Sequence, residues 1–138
     1  MAIRQPEGVA RERGAYFCAG TGHNFSKVLM IREIGCCSEQ KAPKYFHLSQ
    51  EKYARLFSHP DHVSSSQTRV PEKDMYGGAI RVAQQGCLIF SMSGLPEHGD
   101  EAVMLYAAVK LHWIERPTLE QIVAISGNPF IHKMLGWT

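Results

Sequence analysis

The stretch from Gly77 to Val109 constrains the fold more than any other, because it strings two strands, a turn and an apolar helix together without a linker. Gly77-Gly78 open an arm that runs to Ala83, Gln84-Gln85-Gly86 supply a turn, and Cys87 to Ser93 form a second arm that is almost wholly apolar. Two such runs around a glycine-bearing turn read as a β-hairpin. Ser93-Gly94-Leu95-Pro96 then hands the chain to a helix whose first turn carries Asp100 and Glu101, where negative charge complements the macrodipole. A strand that leaves through small residues into a helix N-terminus is a junction at which a small domain can hold a ligand.

The helix itself asks for cover. Ala102, Leu105, Val109 and Trp113 form one stripe, yet Val103, Tyr106, Ala107 and Leu111 make the other sides apolar too. A second covering surface is therefore expected besides the sheet, either the C-terminus of the chain or another subunit. The C-terminus offers local signals: Thr118 with Gln121 is a capping-box pattern, Gly127 suits the position after a helix, and Asn128-Pro129 starts a short helix carrying Phe130, Met134 and Leu135.

Upstream, Ala15 to Ala19 reads as a short strand, Gly20-Thr21-Gly22 as a turn, and Lys27 to Ile34 as a stronger strand ended by Gly35. Its four consecutive apolar residues predict burial on both faces. After Pro43 a helical period places Phe46, Tyr53, Leu56 and Phe57 on one side, with Ser49 as N-cap and Pro60 as the stop. Residues 1–14 carry little commitment to structure. The whole reads as one α+β domain, a central antiparallel sheet with flanking helices and a helical extension over about 117–135.

The Gly77-Gly78 strand, the hairpin turn, Ser93-Gly94 after the second strand and Asp100-Glu101 beyond it resemble the GlcG/HbpS-like family, often called the heme-degrading domain family. The Ser93-Gly94-Leu95-Pro96 form is most similar to a poorly characterised branch of it. The resemblance covers roughly residues 27–113 and implies a profilin-like sandwich that binds heme, a related cofactor or a small organic acid, with a role in sensing or handling it. The N-terminal half departs from the family pattern of a helix and two clear strands. No residue supports degradation itself, which needs a redox supply and a placed iron ligand.

A length of 138 residues suits a single core. With 15 basic against 13 acidic residues and no run of five of either sign, electrostatics offer no reason to expect nucleic acid. No window approaches the ~18 apolar residues of a membrane span, and no apolar stretch of signal-peptide length opens the chain. A cytoplasmic protein with Cys18, Cys36, Cys37 and Cys87 reduced is the expectation.

No catalytic constellation is read from the residues. His59-Pro60-Asp61-His62 places two imidazoles three residues apart, but Pro60 argues against a continuing helix and no third metal ligand is fixed by spacing. If heme binds, its iron ligand comes from His59, His62 or His23, and its propionates seek backbone amides or Arg81 rather than the Asp100-Glu101 turn. Gly77, Gly78, Ser93 and Gly94 either let a ligand approach the backbone or shape the hairpin and its exit. Cys36-Cys37 lacks the spacing of a strong thiol pair, and Ser91-Met92-Ser93-Gly94 lacks the first glycine of a nucleophile elbow. Two functions stand ahead of a Cys-His enzyme: a small-ligand or heme-binding protein acting as a homo-oligomer, and an assembly module whose helix 100–113 is mainly an interface.

Overall fold

The computed structural model describes residues 14–83 and 87–137. The turn read at Gln84-Gln85-Gly86, and the segment 1–13, lie outside the described residues. Two strands come first, β1 (Gly14–Thr21) and β2 (Val28–Gly35), followed by helix α1 (Ala42–Phe57). Two 3-10 turns, Ser65–Thr68 and Pro71–Lys73, lead to β3 (Ala79–Val82) and β4 (Leu88–Ser93). Three helices close the chain, α2 (Glu97–Lys110), α3 (Arg116–Ser126) and α4 (Ile131–Met134). All neighbours in the sheet are antiparallel, in the order β2-β1-β4-β3. The α+β arrangement expected from the hairpin and the flanking helical periods is therefore present. No helix among the described residues is long and apolar enough to cross a membrane.

Strand alternation sorts the side chains into two cores. Pairing of Phe17 with Met92 and of Ile80 with Phe90 puts these residues on one face. There they pack with Leu105, Leu119, Ile122 and Ile131. On the other face Cys18, Ala79 and Ile89 meet Tyr53 and Leu56 of α1. Burying a Leu or Ile as completely as Leu105 or Ile80 is worth about 1.5–3 kcal/mol each. Helices α3 and α4 close over part of α2 through Leu119, Ile122 and Ile131, while Val103, Ala107 and Leu111 stay exposed on its other side.

Several local expectations need correction. The strand β2 is exposed along nearly all its length rather than buried on both faces, because it is the sheet edge and neither helical layer reaches over it. Gly20 and Thr21 belong to β1, with a register irregularity at Ala19/Gly20, so the turn starts later than Gly20. Ser49 is buried inside α1, its hydroxyl donating to Phe46 O at 2.9 Å, whereas the helix starts after Lys41 with Pro43 in its first turn. In α3 the same device, Pro117 in the first turn, replaces the capping box read at Thr118 and Gln121. Gly127 ends α3 at φ 70°, as its position requires.

Candidate functional site

Leu48, Lys52 and Leu56 stand four residues apart on one stripe of α1, and that stripe faces the sheet. A lysine is thereby carried inside: Lys52 is 2% exposed. Its Nζ donates to Met92 O at 2.6 Å and to Asp100 Oδ2 at 3.2 Å, binding α1 to the end of β4 and to the first turn of α2. Gly78 makes this reach possible. It sits at φ 117°, and a Cβ there would lie 2.8 Å from Lys52 Nζ. The other oxygen of Asp100 accepts the Leu95 N–H at 2.9 Å.

Taking both charges out of water costs more than their attraction returns at this separation. Burial lowers the Lys52 amine against the pull of Asp100, and raises the Asp100 carboxyl to about 6 against the pull of Lys52. Glu97 behaves oppositely. Its partial burial disfavours the charge, but hydrogen bonds from Arg69 and from the Gly77 N–H outweigh that and hold its carboxyl below the usual range.

Above this pair opens a cavity of about 870 Å³. It is lined by Lys52, Ser93, Gly94 and Asp100, by Lys44 and Tyr45 of α1, by Arg69 and Tyr76 from the loop before β3, and by His98, Ser126 and Phe130. The charged lining residues are Lys44, Lys52 and Arg69 against Glu97 and Asp100, a surplus of one positive charge when all are ionised. Arg69 pairs with Glu97 at 2.7 Å, whereas Lys44 has no ion pair among the described residues. The C-terminal wall is fastened by a buried carboxylate: Glu101 accepts from Ser64 Oγ at 3.1 Å, Ser126 Oγ at 2.6 Å and Asn128 Nδ2 at 3.0 Å. Glu101 thus holds segments together instead of merely complementing the helix dipole.

Of the residues singled out from sequence, Ser93 and Gly94 line the cavity, while Gly77 and Gly78 support it through Glu97 and Lys52. The histidines and Arg81 lie elsewhere. His23 is exposed after β1. His59 and His62 stack, with ring centres 4.8 Å apart and planes 13° from parallel, and His59 Nδ1 contacts Arg55 O at 2.8 Å. None of these three histidines lines the cavity. They do not fit a heme held there.

Arg81 has a different task from the propionate contact expected of it. Its guanidinium donates to four backbone carbonyls, those of Gly22, Leu56, His59 and His62, and approaches Cys87 Sγ at 3.9 Å, which takes up its five N–H groups. Cys36 is exposed and Cys37 buried, so the adjacent thiols meet different surroundings. Among the described residues no cluster of three or more His, Cys, Asp or Glu side chains could hold a metal ion.

Lys52, Arg69 and Glu97 were missed by sequence reasoning. The lysine left a trace, a charge in the middle of the apolar Leu48–Leu56 stripe, but its partner lies 48 residues away. No protein-family model matches the chain, and neither a curated protein nor a solved structure matches it significantly.

Proposed function

We propose that the chain is a small-ligand-binding protein whose ligand is an organic anion held in the cavity above Lys52, on a scaffold of profilin-like type. The observation that carries the reading is the buried ammonium. Lys52 can donate three hydrogen bonds and makes two to protein, leaving one for a ligand oxygen in a cavity with a surplus positive charge. Tyr45, Tyr76 and Phe130 supply flat apolar surface around it, which suits a ring or short carbon chain bearing a carboxylate. The GlcG/HbpS-like resemblance supports ligand handling in the cytoplasm and brings heme as a named candidate, although the expected iron ligands stand apart from this cavity.

Native mass spectrometry of the purified protein, followed by titration with a panel of mono- and dicarboxylates, tests the proposal. Saturable binding weakened by Lys44→Ala and by added salt is expected. Absence of saturable binding across the panel sinks it, and a Soret shift on hemin titration with no carboxylate binding moves the preference to heme.

A second reading rests on one surface. Along the edge of the sheet Met30 and Ile34 are 42% and 48% exposed, and across a groove floored by Phe90 and Met92 stand Val103 and Leu111 of α2, 37% and 55% exposed. A second copy of this chain covering that groove would make the protein a homo-oligomer, whether or not the ligand site is used.

A further inference from the structure

We infer that Lys52 is the reactive group of the cavity and that the site takes a small aldehyde or keto acid, held as an imine on Lys52 Nζ. This rests on the cavity being the ligand site and adds the chemistry of the ligand. Seven lysines occur in the chain, and the six others, Lys27, Lys41, Lys44, Lys73, Lys110 and Lys133, are exposed. Lys52 differs in surroundings: it is shielded from water, it lines a cavity of about 870 Å³, and a carboxyl group lies 3.2 Å from its nitrogen. A desolvated lysine beside a proton acceptor is the arrangement that nucleophilic amine chemistry requires.

The pair can run the condensation without any further reagent. Asp100 takes a proton from the Lys52 ammonium, and the freed lone pair forms the C–N bond as the carbonyl π pair moves onto oxygen. Asp100 returns that proton to the oxygen and, a carboxylate again, takes a second from the nitrogen; it then hands this one to the hydroxyl of the carbinolamine, which leaves as water while C=N forms. One amine and one carbonyl give one imine and one water, with no change of oxidation state. The carboxylate of the ligand meets the surplus positive charge at Lys44, since Arg69 is already paired with Glu97. Nothing larger than hydrogen at residue 78 leaves room at the nitrogen, since a Cβ there would stand 2.8 Å from it.

The test uses the full chain with glyoxylate and with 4-formylbenzoate, each in the presence of cyanoborohydride, and 4-methylbenzoate as an analogue lacking the carbonyl. The expected product is one adduct per chain, heavier by the probe less one oxygen atom, with tryptic cleavage lost at Lys52. Excess 4-methylbenzoate should suppress it, and Lys52→Arg should abolish it. Peptide mapping of the wild type decides the matter even if that variant fails to fold. Saturable binding of 4-methylbenzoate without a Lys52 adduct overturns the imine and leaves the ligand site standing. Labelling confined to exposed lysines, with no binding of 4-methylbenzoate, overturns both.

Discussion

Gly94 sits at φ 150°, and a Cβ there would lie 2.4 Å from Gly14 O and 2.6 Å from Ala15 Cα, both backbone atoms with little freedom to move. Gly94→Ala should cost about 2–4 kcal/mol in thermal or urea unfolding. His59→Ala, which loses the contacts of Nδ1 with Arg55 O and Ser58 Oγ and the stack on His62, should cost about 1 kcal/mol. Equal losses in the two variants would contradict this placement of the strand exit. Asp100 predicts a pH effect with a definite sign. Its carboxyl is raised from 3.8 to about 6 by burial, so the folded protein holds the proton more tightly than the unfolded chain between those values. The stability this group contributes is full below pH 3.8 and is lost as pH rises through about 6. Melting temperature plotted from pH 4 to 6.5 should therefore fall more, or rise less, in the wild type than in Asp100→Asn.

At the scale of elements, α1 is held at its C-terminus by a strand. Arg81 of β3 takes the carbonyls of Leu56 and His59, where the helix dipole is negative, so its buried charge is met without a carboxylate. Arg81→Met would take a donor from four carbonyls, of which Leu56 O and His59 O keep a backbone N–H, and should cost about 3–5 kcal/mol, with Arg81→Lys recovering only part of it. A loss below about 1 kcal/mol on chemical denaturation would show that water can replace the guanidinium. Arg55, one turn earlier in α1, does the same for the loop, donating to Ser65 O at 2.8 Å and to Tyr76 O at 2.5 Å. Together the two arginines fix the segment that carries Ser66, Arg69 and Tyr76 to the cavity wall.

For the whole molecule, the two helical layers leave the β1–β2 side of the sheet uncovered on the face shared with α2. If a second copy covers it, light scattering should give a mass above the 15.5 kDa of one chain. Met30→Lys with Leu111→Lys should then return the protein to that mass, with little change in the melting of the monomer because both side chains are already exposed. A monodisperse mass of one chain for the wild type at micromolar concentration would remove the oligomer from consideration.

The pairing of the two hairpin arms, the helix after them and the C-terminal helical segments were legible because their signals are local: a period of two changing to 3.6, and Gly127 at a helix end. So too was the gathering of Gly77, Gly78, Ser93 and Gly94 around one junction, which the chain itself makes continuous apart from the returning hairpin. The exposure of β2 was not legible, since an apolar run reads alike whether a helix covers it or nothing does, and only the layer positions decide. The stacking of His59 on His62 and the capture of Arg81 by backbone carbonyls belong to the same class, because residue type states what a side chain can bond and not what lies within reach. Above all, the charge of Lys52 acquired its meaning from Asp100, 48 residues on, when the sheet brought α1 and the start of α2 together out of water. Sequence sets the local periods and the chemical repertoire; the low dielectric and the pairings across the sheet, which give that repertoire its energies, exist only once the chain has folded.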